Sequence, residues 1–250
     1  MGAFAASRKI GLHVDACLGG FMLPFLGRLG YAVPAFDFQV AGVTSISADL
    51  HKYGYAAKGA SAVLYRNAEL RRSQFFVTTD WPGGLYGSPT MAGTRPGGAI
   101  AAAWAALMSL GEEGYLKRAE QTMAVTRQLM DGIETIKGFY IIGRPDMSVF
   151  TFTSADVDIF AVSDRMLAKG WRLDRQKSPD CLHMIVTPNH GQAVEPFLSD
   201  LREAAEQVRR KPLSDRKKQH AMLYGVTADV PADVDLQGYL FGYMDNLYQP

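Results

Sequence analysis

The chain has 250 residues, a formal net charge of +1 and 48% hydrophobic residues, enough apolar content to fill one large domain or one and a half ordinary ones. That balance excludes a nucleic-acid footprint and a polybasic membrane patch, and the one basic cluster, Arg209 to Lys218, reads as a solvated helix end and loop. The two cysteines, Cys17 and Cys181, make neither a disulfide framework nor a metal-ligand spacing, and a reducing, cytoplasmic compartment is expected.

Met1 to Arg8 carries no basic-then-apolar leader pattern, and Gly2 to Arg8 reads as the end of a helix leading into a strand. In that strand, Ile10 to Ala16, the two-residue period puts Ile10, Leu12 and Val14 on one face and His13 with Asp15 on the other. Gly19-Gly20 begins a loop, Phe21 to Leu29 is a short apolar helix interrupted by Pro24, and Phe36 to Val43 feeds a second strand, Val43 to Ser47, marked by β-branched residues. Gly54 and Gly59 bracket the loop that follows, before a third strand at Ser61 to Tyr65. A short helix is predicted over Asn67 to Ser73 and a strand over Phe75 to Thr79.

Gly83 to Gly98 is rich in glycine and proline, lacks periodicity and is expected to be a long functional loop, with Ser88, Thr90, Thr94 and Arg95 suited to anion contacts. Gly98 to Leu110 reads as a buried helix from its alanine content, and is too short and alanine-rich to span a bilayer. Glu112 to Ile136 is a longer amphipathic helix with Leu116, Ala119, Met123, Met130 and Ile133 on its stripe, expected to link two domains. Beyond Gly138 come strands at Phe139 to Ile142, Ser148 to Thr153, Trp171 to Asp174 and Cys181 to Thr187, with a helix over Asp158 to Lys169. After a turn at Pro188 to Gly191, a helix with Val194, Phe197, Leu198, Leu201, Ala204 and Val208 closes a smaller α/β domain. A last helix, Asp235 to Leu247, carries Leu236, Tyr239, Leu240, Tyr243 and Leu247 on one stripe, and no internal repeat is visible.

Chemistry concentrates after the first two strands. Lys52 lies on the turn following a strand, where ligands bind in open α/β sheets, and it stands 37 positions (52 minus 15) beyond the strand-borne His13-x-Asp15 pair. A lysine to bind an aldehyde, a carboxylate to keep a pyridine nitrogen protonated and a flat neighbour for the ring are what a pyridoxal 5'-phosphate enzyme requires. Each residue also has a plainer reading: His13 as a strand histidine satisfied by its neighbours, Asp15 as a solvated carboxylate, His51 as a turn cap, Lys58 as a solvated loop cation. His183, His190 and His220 read as structural, and the stripe at 239 to 247 as core or dimer packing. The ligand types of His13, Asp15 and His51 would suit a metal, but no HExxH or CxxC spacing supports one; no GxGxxG nucleotide turn or serine-hydrolase elbow appears.

The runs HVDACLGGF (13 to 21), SADLHKYGYAAKG (47 to 59) and GLYGSPTMAGTRPG (84 to 97) resemble the group II pyridoxal-phosphate decarboxylases. CLGGF, GYAAKG and the tail at 221 to 248 are similar to the sphingosine-phosphate lyase family within that group. The resemblance implies the C-terminal part of a fold-type I pyridoxal-phosphate enzyme: a partial, cofactor-binding large α/β domain over residues 1–136 and a small α/β domain over 137–250. It implies Lys52 as the cofactor-bearing lysine and Asp15, Ala16, His13, His51, Gly93 and Thr94 around the cofactor, with His51 at its phosphate and the 83–98 loop reaching a partner's cofactor across a dimer. Lys58 and Ser88 would meet the substrate's phosphate.

The implied reaction is carbon–carbon cleavage of a phosphorylated sphingoid base to a fatty aldehyde and phosphoethanolamine. An amino-acid decarboxylase of the same fold and a silent fragment acting only in association are the alternatives. The sequence starts abruptly before the His13 strand, so a longer enzyme is expected, working as a homodimer or with an N-terminal half that supplies the phosphate-binding loop.

Overall fold

The computed structural model describes residues 1–210 and 235–247, which fall into two compact units, Met1–Gln121 and Thr122–Pro250. The division lies inside the longest helix rather than after residue 136.

In the first unit, helix α1 (Gly2–Arg8) ends on Lys9 in the left-handed conformation and delivers the chain to strand β1 (His13–Asp15). The strand is shorter than the alternation over Ile10 to Ala16 suggested, and Ile10 is exposed. Gly19–Phe21 is a 3-10 turn rather than an open loop, and Pro24 does not interrupt helix α2 (Leu23–Arg28): it occupies the first turn, where a proline loses no hydrogen bond. Strands β2 (Ser45–Ala48) and β3 (Ala62–Tyr65) complete a mixed sheet in the order β1-β2-β3. β1 runs parallel to β2, with His13 opposite Ser45 and Asp15 opposite Ser47, and β3 runs antiparallel to β2. On the sheet's other face Ala16, Val43 and Ile46 form a small core, with Leu12, Val14, Phe36, Phe38 and Val40 packed on it.

Asn67 caps α3 (Ala68–Arg72) by accepting from Leu70 N–H at 2.9 Å. The stretch expected to be one long irregular loop contains a strand: β4 (Phe76–Thr78) pairs antiparallel with β5 (Tyr86–Ser88). Three residues are too few for an alternation to show in sequence. Helix α4 (Gly97–Glu134) carries a break at Gly111, whose φ of 56° is the left-handed region that glycine enters without a Cβ clash. Its first segment is not the buried helix expected from its alanines: Ile100, Trp104 and Met108, one turn apart, are 58%, 65% and 65% exposed. Alanine content reports helix propensity, and burial is decided by what else packs alongside.

The second unit is a four-stranded antiparallel sheet, order β6-β7-β9-β8, built from β6 (Phe139–Ile141), β7 (Val149–Ser154), β8 (Asp174–Gln176) and β9 (Cys181–Ile185). β8 starts where the expected strand Trp171 to Asp174 would end. Trp171 instead packs edge-on against Phe197, 5.3 Å between ring centroids, and donates its indole N–H to Asp200 at 2.7 Å. Asp158 caps α5 (Ile159–Ala168) through Phe160 and Ala161 N–H groups, and the expected turn at Pro188 is a 3-10 helix, Pro188–Ala193, closed by Thr187 and His190. Helix α6 (Val194–Arg209) buries Val194, Phe197, Leu198, Leu201, Ala204, Ala205 and Val208. These meet Leu129 and Ile133 of α4, Phe150 and Phe152 of β7, Val162 and Met166 of α5 and Leu182 of β9 in the core.

Arg209 is tied down by Asp156, Glu206 and the carbonyl of Lys137; the remainder of the basic cluster and His220 lie outside the described residues. Helix α7 (Leu236–Leu247) forms where expected, with Tyr243 and Leu247 of its stripe exposed.

Phe152 is fully buried in this core, whereas Tyr140 on the neighbouring strand is 47% exposed. Phe152→Ala is expected to destabilise the second unit by about 3–5 kcal/mol, and Tyr140→Ala by under about 1 kcal/mol, read as shifts in the denaturant midpoint at constant slope.

Candidate active site

The parallel pairing of β1 with β2 sets the first part of the site. Residues directly opposite share a face of a sheet, so His13, Asp15, Ser45 and Ser47 project together. The His13 ring takes Ser45 Oγ at 2.8 Å on Nδ1 and Ser47 Oγ at 3.2 Å on Nε2. Asp15 Oδ1 accepts from the Cys17 backbone N–H at 3.0 Å and from Ser47 Oγ–H at 3.2 Å. The Cys17 thiol, its backbone N–H and Ser47 hold the Asp15 carboxyl below the usual carboxylate range against the pull of burial, and Lys52 adds its charge. The same pairing pushes the Cys17 thiol up, so it stays a thiol where Asp15 stays an anion.

Both strands end at this edge, and β2 runs out into the turn that carries the second part. Lys52 N–H donates to Asp49 C=O at 3.2 Å, a one-turn spacing that sets the two side chains side by side. Lys52 Nζ lies 2.8 Å from Asp49 Oδ2, and Ser61 Oγ–H donates to Asp49 Oδ1. Asp49 is only 7% exposed. Burial pulls its carboxyl up most, but Lys52, Ser61 and Cys17 together outweigh that and hold it below its usual value. Lys52 responds in the opposite sense, raised by the hydrogen bond to Asp49 against the cost of burial, with the charges of Asp49 and Asp15 adding to it. The pair therefore stabilises the fold above the ordinary carboxylate range and below the ordinary lysine range. That contribution is lost as pH falls through Asp49's depressed pKa or rises through Lys52's elevated one.

The loop between β2 and β3 is closed at its base and pinned at its middle. The His51 ring nitrogen Nδ1 meets Ala60 O at 2.6 Å and His51 N–H donates to the same carbonyl at 3.3 Å. Gly54 is buried where a Cβ would come 2.5 Å from Leu50 O, so no other residue fits without moving backbone. Tyr115, on α4 beyond the Gly111 break, donates its hydroxyl to Gly54 O at 2.8 Å and stacks on Phe25, with ring centroids 5.1 Å apart. Tyr55 holds a left-handed φ of 56° beneath the Arg118 guanidinium, 5.5 Å from the ring centroid. Strain of that kind persists only where neighbours fix the backbone.

The structure thus gathers Lys52, His51 and Asp15 at one end of the β1-β2 pair, with Ala16 buried beside them and His13 on the same face. Lys58 is exposed farther along the loop, where the next residue, Gly59, comes against Ala99 at the start of α4. Ser88 is buried, and its hydroxyl donates to Thr90 O at 2.5 Å within its own turn; Gly93 has a φ of 62° and Thr94 is exposed. Among the described residues no three His, Cys, Asp or Glu side chains are grouped to hold a metal. Sequence reasoning missed Asp49, Ser47, Ser61 and Tyr115. Asp49 and Ser47 were within reach of it: the first is one turn before Lys52, and the second follows from pairing the two strands in register. Ser61 and Tyr115 meet the turn only through tertiary packing.

The conserved domain described as the pyridoxal-dependent decarboxylase conserved domain matches residues 2–155. The chain is 48% identical to sphingosine-1-phosphate lyase of Arabidopsis thaliana over 99% of its own length and 45% of that protein's. It is 38% identical to the Saccharomyces cerevisiae lyase over 100% of its length and 43% of the relative's. Among solved structures, Burkholderia pseudomallei sphingosine-1-phosphate lyase matches with a TM-score of 0.80 and 48% identity, over 83% of this chain and 48% of that one. Lactobacillus brevis glutamate decarboxylase matches with a TM-score of 0.69 at 22% identity, over 85% of this chain and 52% of that one, a likeness of fold alone. The chain spans about half the length of the curated relatives it matches.

Tyr115→Phe leaves the Gly54 carbonyl without its buried donor, at a local cost of about 1–3 kcal/mol. Amide exchange at Lys52, Tyr55 and Ala56 is expected to accelerate roughly 10-fold, with amides of the second unit unchanged.

Proposed function

Because this chain belongs to the pyridoxal-dependent decarboxylase family, we propose that it forms the lysine-bearing part of a pyridoxal 5'-phosphate enzyme that cleaves a carbon–carbon bond in phosphorylated sphingoid bases. The observation that carries this reading is the Lys52, Asp15 and His51 arrangement at the ends of two parallel strands, in a chain 48% identical to a plant sphingosine-1-phosphate lyase.

The donor set suits the cofactor. Asp15, held ionised by Cys17 and Ser47, offers a fixed negative charge to a pyridinium nitrogen; Lys52 offers an amine for its aldehyde; His13 offers a flat ring on the same face. When bound, the cofactor supplies an electron sink for the pair released as the substrate bond breaks. Asp15 would keep that sink charged, and Lys52 would hold the cofactor through its aldehyde and carry a proton. His51 fixes the loop base at Ala60, which keeps Lys52 within reach of the strand ends. Lys58, Gly93 and Thr94 are assigned to phosphate groups of substrate and cofactor: Lys58 supplies a point charge, and the backbone around Gly93 supplies donors, whereas Ser88, buried and with its hydroxyl given to Thr90 O, shapes the turn ahead of them. Retro-aldol cleavage gives a fatty aldehyde and phosphoethanolamine.

A homodimer and a cytoplasmic setting complete the reading. The exposed Ile100, Trp104 and Met108 side chains support association, and the free Cys17 and Cys181 support a reducing compartment. No helix among the described residues is long and apolar enough to cross a membrane. The division into two compact units suits a cofactor-binding part followed by a C-terminal part.

Reconstitution with pyridoxal phosphate tests the assignment. A visible absorption band is expected, with borohydride fixing the label on Lys52, and Lys52→Ala should abolish both. Asp15→Asn should keep the label but lower turnover of the phosphorylated sphingoid base roughly 100-fold. Faster turnover of glutamate or aromatic amino acids would point to decarboxylation instead.

A further inference from the structure

The reading above leaves Asp49 without a task, although it is the buried carboxylate nearest the lysine. Its two oxygens are divided: Oδ1 takes the Ser61 hydroxyl from β3, and Oδ2 takes Lys52 Nζ at 2.8 Å. His51 Nε2 stands 3.7 Å from the same Oδ2. Its backbone is fixed as well, since Asp49 N–H donates to Cys17 O at 3.3 Å and thereby ties this turn to the exit of β1, where Asp15 sits. A free lysine side chain would spread over many rotamers, whereas a charge-assisted hydrogen bond to a clamped carboxylate confines it.

Resting on the reading of Lys52 as the cofactor-bearing amine, we propose that Asp49 is a positioning residue that holds the Lys52 side chain at the strand ends and keeps it an ammonium until the cofactor displaces the pair. Asp49, rather than burial, then governs the pH at which Lys52 presents a lone pair. The groups that face Lys52 are Asp49 and His51 on its own turn and Asp15 and Cys17 at the end of β1. Of the two carboxylates, Asp49 is in direct contact with the lysine, and Asp15 is already engaged by Cys17 and Ser47. Lys52 is 34% exposed at its side chain, so the proton it must lose before attacking a carbonyl carbon can pass to water.

The test titrates the amine itself. Lys52 in the full chain is trace-labelled with acetic anhydride across pH 7–11 and quantified by peptide mapping, with Lys58 as the internal standard. Asp49→Asn should raise Lys52 labelling at the lower pH values at least about 3-fold and move its profile to lower pH, while Asp49→Glu restores the wild-type profile. A profile for Asp49→Asn that superposes on wild type, in a protein with unchanged circular dichroism, overturns the proposal. Should Asp49→Asn not fold, Ser61→Ala frees one carboxylate oxygen and is expected to weaken the clamp: a change in Lys52 labelling supports the proposal and none overturns it.

A parallel arm with pyridoxal phosphate and borohydride separates the two readings. Stoichiometric tagging of wild-type Lys52 without an Asp49 effect on labelling defeats the positioning proposal alone. Scattered tagging in wild type defeats the cofactor reading, whatever Asp49 does to the amine.

Discussion

Lys52 is held 2.8 Å from a buried carboxylate, Asp49, and much of the first unit serves to keep that carboxylate in place. Ser61 reaches it from β3, Cys17 O holds its backbone from the end of β1, and His51 closes the loop onto Ala60. A buried charge without partners is costly, so these contacts are needed for Asp49 to stay ionised where it is. They also make the turn stiff at the point where the proposed function requires a fixed nitrogen.

Two carboxylates at one sheet edge are separated by environment. Asp15 is exposed and held as an anion by Cys17 and Ser47, free to meet a cation from outside. Asp49 is buried and already spent on Lys52 and Ser61. Under the proposed function, that difference suits Asp15 to the ligand and Asp49 to the protein's own lysine.

The loop carrying Lys52 depends on α4 through one side chain. Tyr115 bonds Gly54 O and packs among Phe21, Phe25 and Tyr55, and burial raises its own hydroxyl pKa, so it remains a donor. The break at Gly111 separates this segment of α4 from the one that exposes Ile100, Trp104 and Met108. One helix thus supports the site with its second segment and presents an apolar face with its first.

The α/β class, the helix positions and the pairing of a His-x-Asp strand with a His-Lys turn were legible in the sequence, because periodicity and glycine placement are local properties. So was the break at Gly111, which divides two helical patterns of different composition. The sequence also carried the family through the runs at 13 to 21 and 47 to 59, and the conserved-domain match spans both. Tertiary structure alone decided that Ser45 and Ser47 face His13 and Asp15, since register depends on a partner strand. It decided that Ser61 and Tyr115 reach the Lys52 turn, from 9 positions (61 minus 52) and 63 positions (115 minus 52) away. It also decided that an alanine-rich helix segment is exposed, because burial depends on what packs alongside and not on propensity.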